Sequence, residues 1–217
     1  MKNRIISIII CKYLVISTAI IVVRGVLKGA GEGQVGESMY GWGYFKAFTV
    51  DSNILMAIVA GILAFYLVQN HDKEDALPGW AHTLALVGTT AVCLTMLTVI
   101  VFLAPLQAAM GHGYLFLFSG EMFFLHLFNP LLALILTAFL LKGHRYTDRE
   151  CAIAVMPTLA YSVVYAIAVL VLKCWTDFYG FTFGGKNYLS PISMVAMYAA
   201  TYGIATVIRL IHNKSDK

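Results

Sequence analysis

Six long apolar runs, separated by short polar or glycine-rich stretches, dominate the pattern of this chain. They cover residues 5–26, 47–69, 81–104, 120–141, 151–172 and 189–211. A helix needs about 20 residues to cross a bilayer core, and each run is long enough. Backbone amides and carbonyls find no water in lipid, so each run is predicted to be a helix that satisfies its own hydrogen bonds. The expected fold is all-α: an integral-membrane six-helix bundle, a single domain over residues 1–217, large enough to enclose a small cavity. The stretch 114–141 would measure ~42 Å as one helix, more than the ~30 Å core. Either it tilts, or it begins in the interface with Gly120 as a break.

The densest polar group near a span is Thr49-Val50-Asp51-Ser52-Asn53, which leads straight into the apolar run 54–68. Polar groups there are costly, so each needs a partner, water or a function. Depth sets a second group at the same level. Asn53 lies 16 residues before Gln69 and His126 lies 16 before Lys142, so both sit ~24 Å from the boundary at the far end of their spans. Thr49 and Glu121 lie near ~30 Å, at the edge of the core. The second and fourth spans run in the same direction and therefore carry polar residues at matched depths. Residues on a helix step by ~100°, so Thr49, Ser52 and Asn53 share a face, as do His126 and Asn129, while Asp51 points ~160–200° from Thr49. That phase predicts a cation for Asp51, either Arg24 or Lys46.

These residue types carry chemistry. A threonine hydroxyl becomes a nucleophile when a base removes its proton, and a neutral imidazole is such a base. Thr49 and His126 form the candidate pair. Ser52, Asn53 and Asn129 are candidates to orient the imidazole or to donate to an oxyanion. Glu121 is a candidate to hold the histidine tautomer, as the carboxylate does in a triad. Structural roles stand beside these: a threonine in a span often bonds its own backbone, and a histidine with an asparagine can join helices. Asp51 is either a functional group or half of a structural ion pair.

The composition sharpens the class. Hydrophobic residues make up 60% and charged residues 12% of 217, and the mean hydropathy of +0.80 excludes an ordinary soluble domain. Lys2 and Arg4 precede the first run, which is too long for a signal h-region and is read as an uncleaved helix. Lys2, Arg4, Lys73, Lys142, Arg145, Arg149, Arg209, Lys214 and Lys217 fall on one side of the expected topology, against Arg24, Lys28, Lys46, Lys173 and Lys186 on the other. By the positive-inside rule both termini are cytoplasmic. This bias accounts for the net charge of +4 without a nucleic-acid partner. Cys11, Cys93, Cys151 and Cys174 show neither a disulfide framework nor metal-ligand spacing, and neither a metal nor another cofactor is implied. Two connections on the opposite side stand out. Residues 27–44 are rich in glycine and lead into Tyr40-Gly41-Trp42-Gly43-Tyr44-Phe45. Residues 173–188 contain Trp175-Thr176-Asp177-Phe178-Tyr179-Gly180-Phe181-Thr182-Phe183. The second is either an interfacial loop or a cover over a cavity.

Phe45-Lys46-Ala47-Phe48-Thr49, followed by Asp51-Ser52-Asn53, resembles the signature of the androgen-induced and androgen-dependent TFPI-regulating membrane proteins and their bacterial six-span relatives. His126-Leu127-Phe128-Asn129-Pro130-Leu131-Leu132 is similar to the family's second element, with proline four positions after histidine as in the bacterial branch. Tyr161-Ser162-Val163-Val164-Tyr165 and the aromatic loop resemble its next landmarks. The resemblance spans most of the chain in helix count and two short motifs in detail. It implies a threonine hydrolase that cleaves fatty acid esters, such as those of hydroxy fatty acids, near the exoplasmic leaflet. Thr49 would be the nucleophile and His126 the base, with Asp51, Ser52, Asn53, Glu121, Asn129 and Tyr165 supporting or binding a lipid substrate. The expected location is a bacterial cytoplasmic membrane, with membrane lipids as partners. Two other functions remain open on the residues alone: a transporter using Asp51, Glu121 and His126, and a non-catalytic scaffold. Against transport, no internal repeat or mid-membrane helix break is evident.

Overall fold

A computed structural model describes residues 2–31, 41–71, 77–182, 184–185 and 189–215. Within these residues six helices are long and apolar enough to cross a membrane, and the chain is read as an integral membrane protein. They are α1 Lys2–Gly31, α2 Phe48–Gln69, α3 Gly79–Ala109, α4 Gly120–Leu140, α5 Asp148–Val171 and α6 Ser190–Ser215. There are no strands among the described residues. Of the positions singled out above, Tyr40, Lys73, Phe183, Lys186, Tyr188 and Lys217 lie outside them.

The helix ends have local causes. Gly120, at φ +56, follows the extended Ser119, so the stretch 114–141 is divided into a 3-10 turn, Tyr114–Phe118, and α4. Glycine adopts that φ without steric cost. Thr147 and Glu150 cap α5 reciprocally, each side chain accepting the other's backbone N–H. The third run was expected to end at Ala104, before Pro105, but α3 continues to Ala109. The reason is a π-helical turn, Val99–Leu103, whose wider register carries the helix past the proline. Another π turn, Phe124–Phe128, precedes Pro130 by the same two residues.

α3 is the most buried span and packs against α2 through Gly88, where an added Cβ would lie 3.0 Å from the Met56 sulfur. Polar contacts collect the start of α1 and the ends of α2, α4 and α6 at one end of the bundle. Arg4 donates to the Asn70 and His71 carbonyls, Lys142 to Ser215, and Tyr146 and Asn213 exchange hydrogen bonds of 3.0 and 2.9 Å. At that end the His82 and His144 rings stack 4.9 Å apart. The Glu150 carboxylate accepts from Thr83 at 2.7 Å and lies 2.8 Å from His144 Nε2. Burial, and then the charge of Glu150, push the Tyr146 hydroxyl well above the ordinary tyrosine range.

His212 closes this cluster and is fully buried. Its Nδ1 lies 2.7 Å from the Thr137 carbonyl and its Nε2 lies 2.8 Å from the His144 carbonyl. Carbonyls only accept, so both contacts are hydrogen bonds only when both ring nitrogens carry protons. The ring thus ties α6 to the end of α4 and to the following connection. Replacing His212 with Ala is expected to lower stability by about 1–3 kcal/mol for each carbonyl left unsatisfied. His212→Gln, which keeps one donor group, is expected to recover part of the loss. Thermal unfolding of the purified protein in detergent measures both.

Candidate functional site at the start of helix two

α2 begins without a side-chain cap of its own. Its N-cap, Ala47, is extended and accepts from the Val50 and Asp51 amides at 3.0 and 3.2 Å. The Phe48 amide is capped from the distant connection between α5 and α6, where it donates to the Tyr179 hydroxyl at 3.1 Å. The Thr49 and Tyr161 side chains neighbour the same hydroxyl. Tyr161 donates to the Lys46 carbonyl at 2.6 Å. Burial raises the Tyr179 hydroxyl to about 12, so it stays protonated while it accepts from the Phe48 amide. The Thr49 amide makes no hydrogen bond among the described residues.

Asn53 and Asn129 meet, as their equal depths allow. Asn129 Nδ2 donates to Asn53 Oδ1 at 3.2 Å and to the Thr18 hydroxyl at 3.4 Å, and Ser17 donates to Asn129 Oδ1 at 3.2 Å. Asn53 Nδ2 donates to the carbonyls of Thr49 at 2.8 Å and Leu125 at 3.1 Å. The Leu125 carbonyl is free for a definite reason. The Asn129 amide, its α-helical donor, is engaged by Phe124 in the π turn, and the next donor position is Pro130, which has no N–H. Ser52 turns to α3 instead, sharing a hydrogen bond of 3.1 Å with the Thr95 hydroxyl.

His126 sits in that π turn and is buried. Its Nδ1–H donates to the Leu117 carbonyl at 2.7 Å. A carbonyl cannot donate, so the neutral ring carries its basic lone pair on Nε2. The tautomer is therefore held by a main-chain carbonyl and not by Glu121, whose Oε1 pairs with Arg24 Nε at 3.0 Å near the surface. No hydrogen bond joins the Thr49 hydroxyl to the His126 ring among the described residues.

The cavity lies to the other side. It measures about 470 Å³, is open to the outside, and runs between α2, α5 and the aromatic connection. Phe45, Phe48, Asp51, Ser52, Tyr161 and Trp175 form much of its wall. Helical phase puts Thr49, Ser52 and Asn53 on one face, toward a cavity shared with His126, and Asp51 on a cation. Of that face only Ser52 lines the cavity, and Asp51 joins it there; Arg24 is taken by Glu121, and Asn53 is spent on α4. Lys46 lies 6.0 Å over the Trp175 ring.

Sequence reading passed over Asp177, which shapes the loop beside the cavity. Its Oδ1 accepts from Tyr165 at 2.8 Å and the Phe181 amide at 2.9 Å, and its Oδ2 accepts from the Thr182 amide and hydroxyl, both at 2.6 Å. Tyr165 in turn accepts from the Tyr179 amide at 3.1 Å, which fixes the residue that caps α2. Aspartate at the first and glycine at the fourth position of a β-turn, Asp177 and Gly180, is a turn signature that was available in the sequence. Cys11, Cys93 and Cys151 are buried free thiols and Cys174 is exposed. No group of three or more His, Cys, Asp or Glu is placed to hold a metal among the described residues.

Burial alone would raise the Asp177 carboxyl, but the bonds from Thr182, Tyr165 and Phe181 outweigh it and hold the group below its ordinary value of 3.8. Its contribution to loop stability is therefore complete above that value and is lost as the pH falls through the lowered one. We expect tryptophan fluorescence of the wild type to hold steady on acidification to ~pH 4 and to change only below it. Asp177→Asn should show the altered emission already at neutral pH, with no such acid step. Comparison of the chain with protein-family models, with curated proteins and with solved structures finds no match to any of them.

Proposed function

We propose that this protein is a membrane-embedded lipid-ester hydrolase, with Thr49 as nucleophile and His126 as base. It would work at the exoplasmic face of a bacterial cytoplasmic membrane. One observation supports the reading: Thr49 stands in the first turn of α2, between Phe48, whose amide is capped by the Tyr179 hydroxyl, and the Asp51 and Ser52 wall of an open cavity. The resemblance in the motifs around Thr49 and His126 supports the same pair.

The chemistry is acyl transfer. The Thr49 oxygen attacks the ester carbonyl carbon, its proton moves toward His126 Nε2, and the alcohol departs carrying a proton. Water then attacks the acyl-threonine with His126 as general base, releasing the fatty acid. Thr49 and His126 share no direct hydrogen bond, so the proton passes through a bridging water or substrate hydroxyl. The unbonded Thr49 amide lies at the positive end of a helix, a suitable donor to the oxyanion. Ser52, Asn53 and Asn129 hold α2 against its neighbours, and Tyr165 and Asp177 hold the loop that carries Tyr179.

A binding or transport role without hydrolysis has one observation in its favour, the Asp51 carboxylate in the cavity wall. Such a role predicts flux in proteoliposomes that is lost on Asp51→Asn. The hydrolase reading predicts that a fluorophosphonate probe labels Thr49. Labelling should disappear in Thr49→Ala and His126→Ala while both variants remain folded by thermal melt. Labelling that persists in both would remove this reading.

A further inference from the structure

Asp51 is half-buried in the cavity wall, and among the described residues its carboxylate has neither a hydrogen bond nor an ion pair. Neither cation that the sequence offered pairs with it. Arg24 pairs with Glu121, and Lys46 rests over the Trp175 ring without forming an ion pair to Asp51. A carboxylate held among apolar groups at a membrane boundary is costly unless a cation meets it. The cavity shows where such a cation would sit. Phe45, Phe48, Tyr161 and Trp175 line the same space, and the Phe48 and Tyr161 rings are 5.0 Å apart. Aromatic faces attract ammonium groups, quaternary ones included, and the carboxylate adds a full opposite charge.

We infer that this cavity binds the ammonium group of a zwitterionic phospholipid, of the phosphoethanolamine or phosphocholine type. Asp51 and the aromatic rings receive the ammonium. Lys46, beside Trp175, is placed to meet the phosphate that precedes it. Apart from Ser52, which bonds Thr95, the remaining wall of Leu55, Pro157, Ala160 and Val164 is apolar and suits the lipid's hydrocarbon. The volume of about 470 Å³ falls within the roughly 300–1,000 Å³ of small-molecule sites. This site does not depend on the Thr49 chemistry, because neither Thr49 nor His126 forms part of its wall.

The test is native mass spectrometry of the full chain released from detergent, after exchange with an equal mixture of phosphatidylethanolamine, phosphatidylcholine and phosphatidylglycerol. The wild type should retain the two ammonium lipids over phosphatidylglycerol by about tenfold or more, as close charge pairs across an interface do. Asp51→Asn, nearly the same shape without the charge, should erase the preference. Asp51→Glu should keep it, and Trp175→Leu should weaken retention of both ammonium lipids. Thr49→Ala should leave the preference intact, so a failed hydrolase reading and a failed headgroup site give different results. Equal retention of phosphatidylglycerol by the wild type, or an undiminished preference in a folded Asp51→Asn, would overturn the proposal. Displacement by free ethanolamine or choline as readily as by the lipids would overturn the lipid assignment in favour of a soluble amine.

Discussion

The carbonyl of Leu125 is the point on which the centre of the bundle depends. Pro130 withholds the donor that a π turn would supply, so this buried carbonyl must be satisfied from another helix. Asn53 supplies the bond, and the asparagine is then oriented to accept from Asn129, which also contacts Ser17 and Thr18. One missing N–H therefore joins α1, α2 and α4. In an apolar surrounding the alternative is an unpaired carbonyl, which costs on the order of 1–3 kcal/mol. The same π turn holds His126, so the feature that links the helices also sets where the imidazole stands.

The two ends of the bundle solve the problem of their polar groups differently. At the end that collects the chain termini, imidazole, phenol and carboxylate groups bond one another and the main chain, as Glu150 and His212 show. That end has the character of a clasp. At the other end Tyr179 reaches across from a loop to cap α2, and Asp177 holds that loop through four hydrogen bonds. Yet Asp51 is left facing open space. One end is clasped, while at the other the unpaired Asp51 carboxylate stands in the wall of a cavity.

The residues at the site illustrate how far the sequence could be read. The matched depths of Asn53 and His126 follow from counting along two spans, and the structure brings Asn53 against the residue preceding His126. Phase along α2 put Asp51 on the opposite face from Thr49, but could not say which face met a cavity. That depends on α5 and the loop after it, which lie more than a hundred residues away in sequence. The Arg24–Glu121 pair was equally hidden, since the side chains on α1 and α4 could pair in several ways until the helices were placed. Tyr179 could not be found as the cap of α2, because nothing in the sequence near Ala47 announces a donor or acceptor from elsewhere.

What the sequence determined by itself was the number of helices, their approximate limits and the matched level of Asn53 and the His126 turn. These follow from hydrophobic length and a fixed rise per residue, both of which are local. The tertiary structure alone decided which polar groups are spent on one another and which face a cavity. Each buried polar group takes whichever partner lies within about 3 Å, and that distance is set by how the helices pack and not by their order in the chain. Asn53 is consumed by α4, Glu121 by α1, and Asp51 remains.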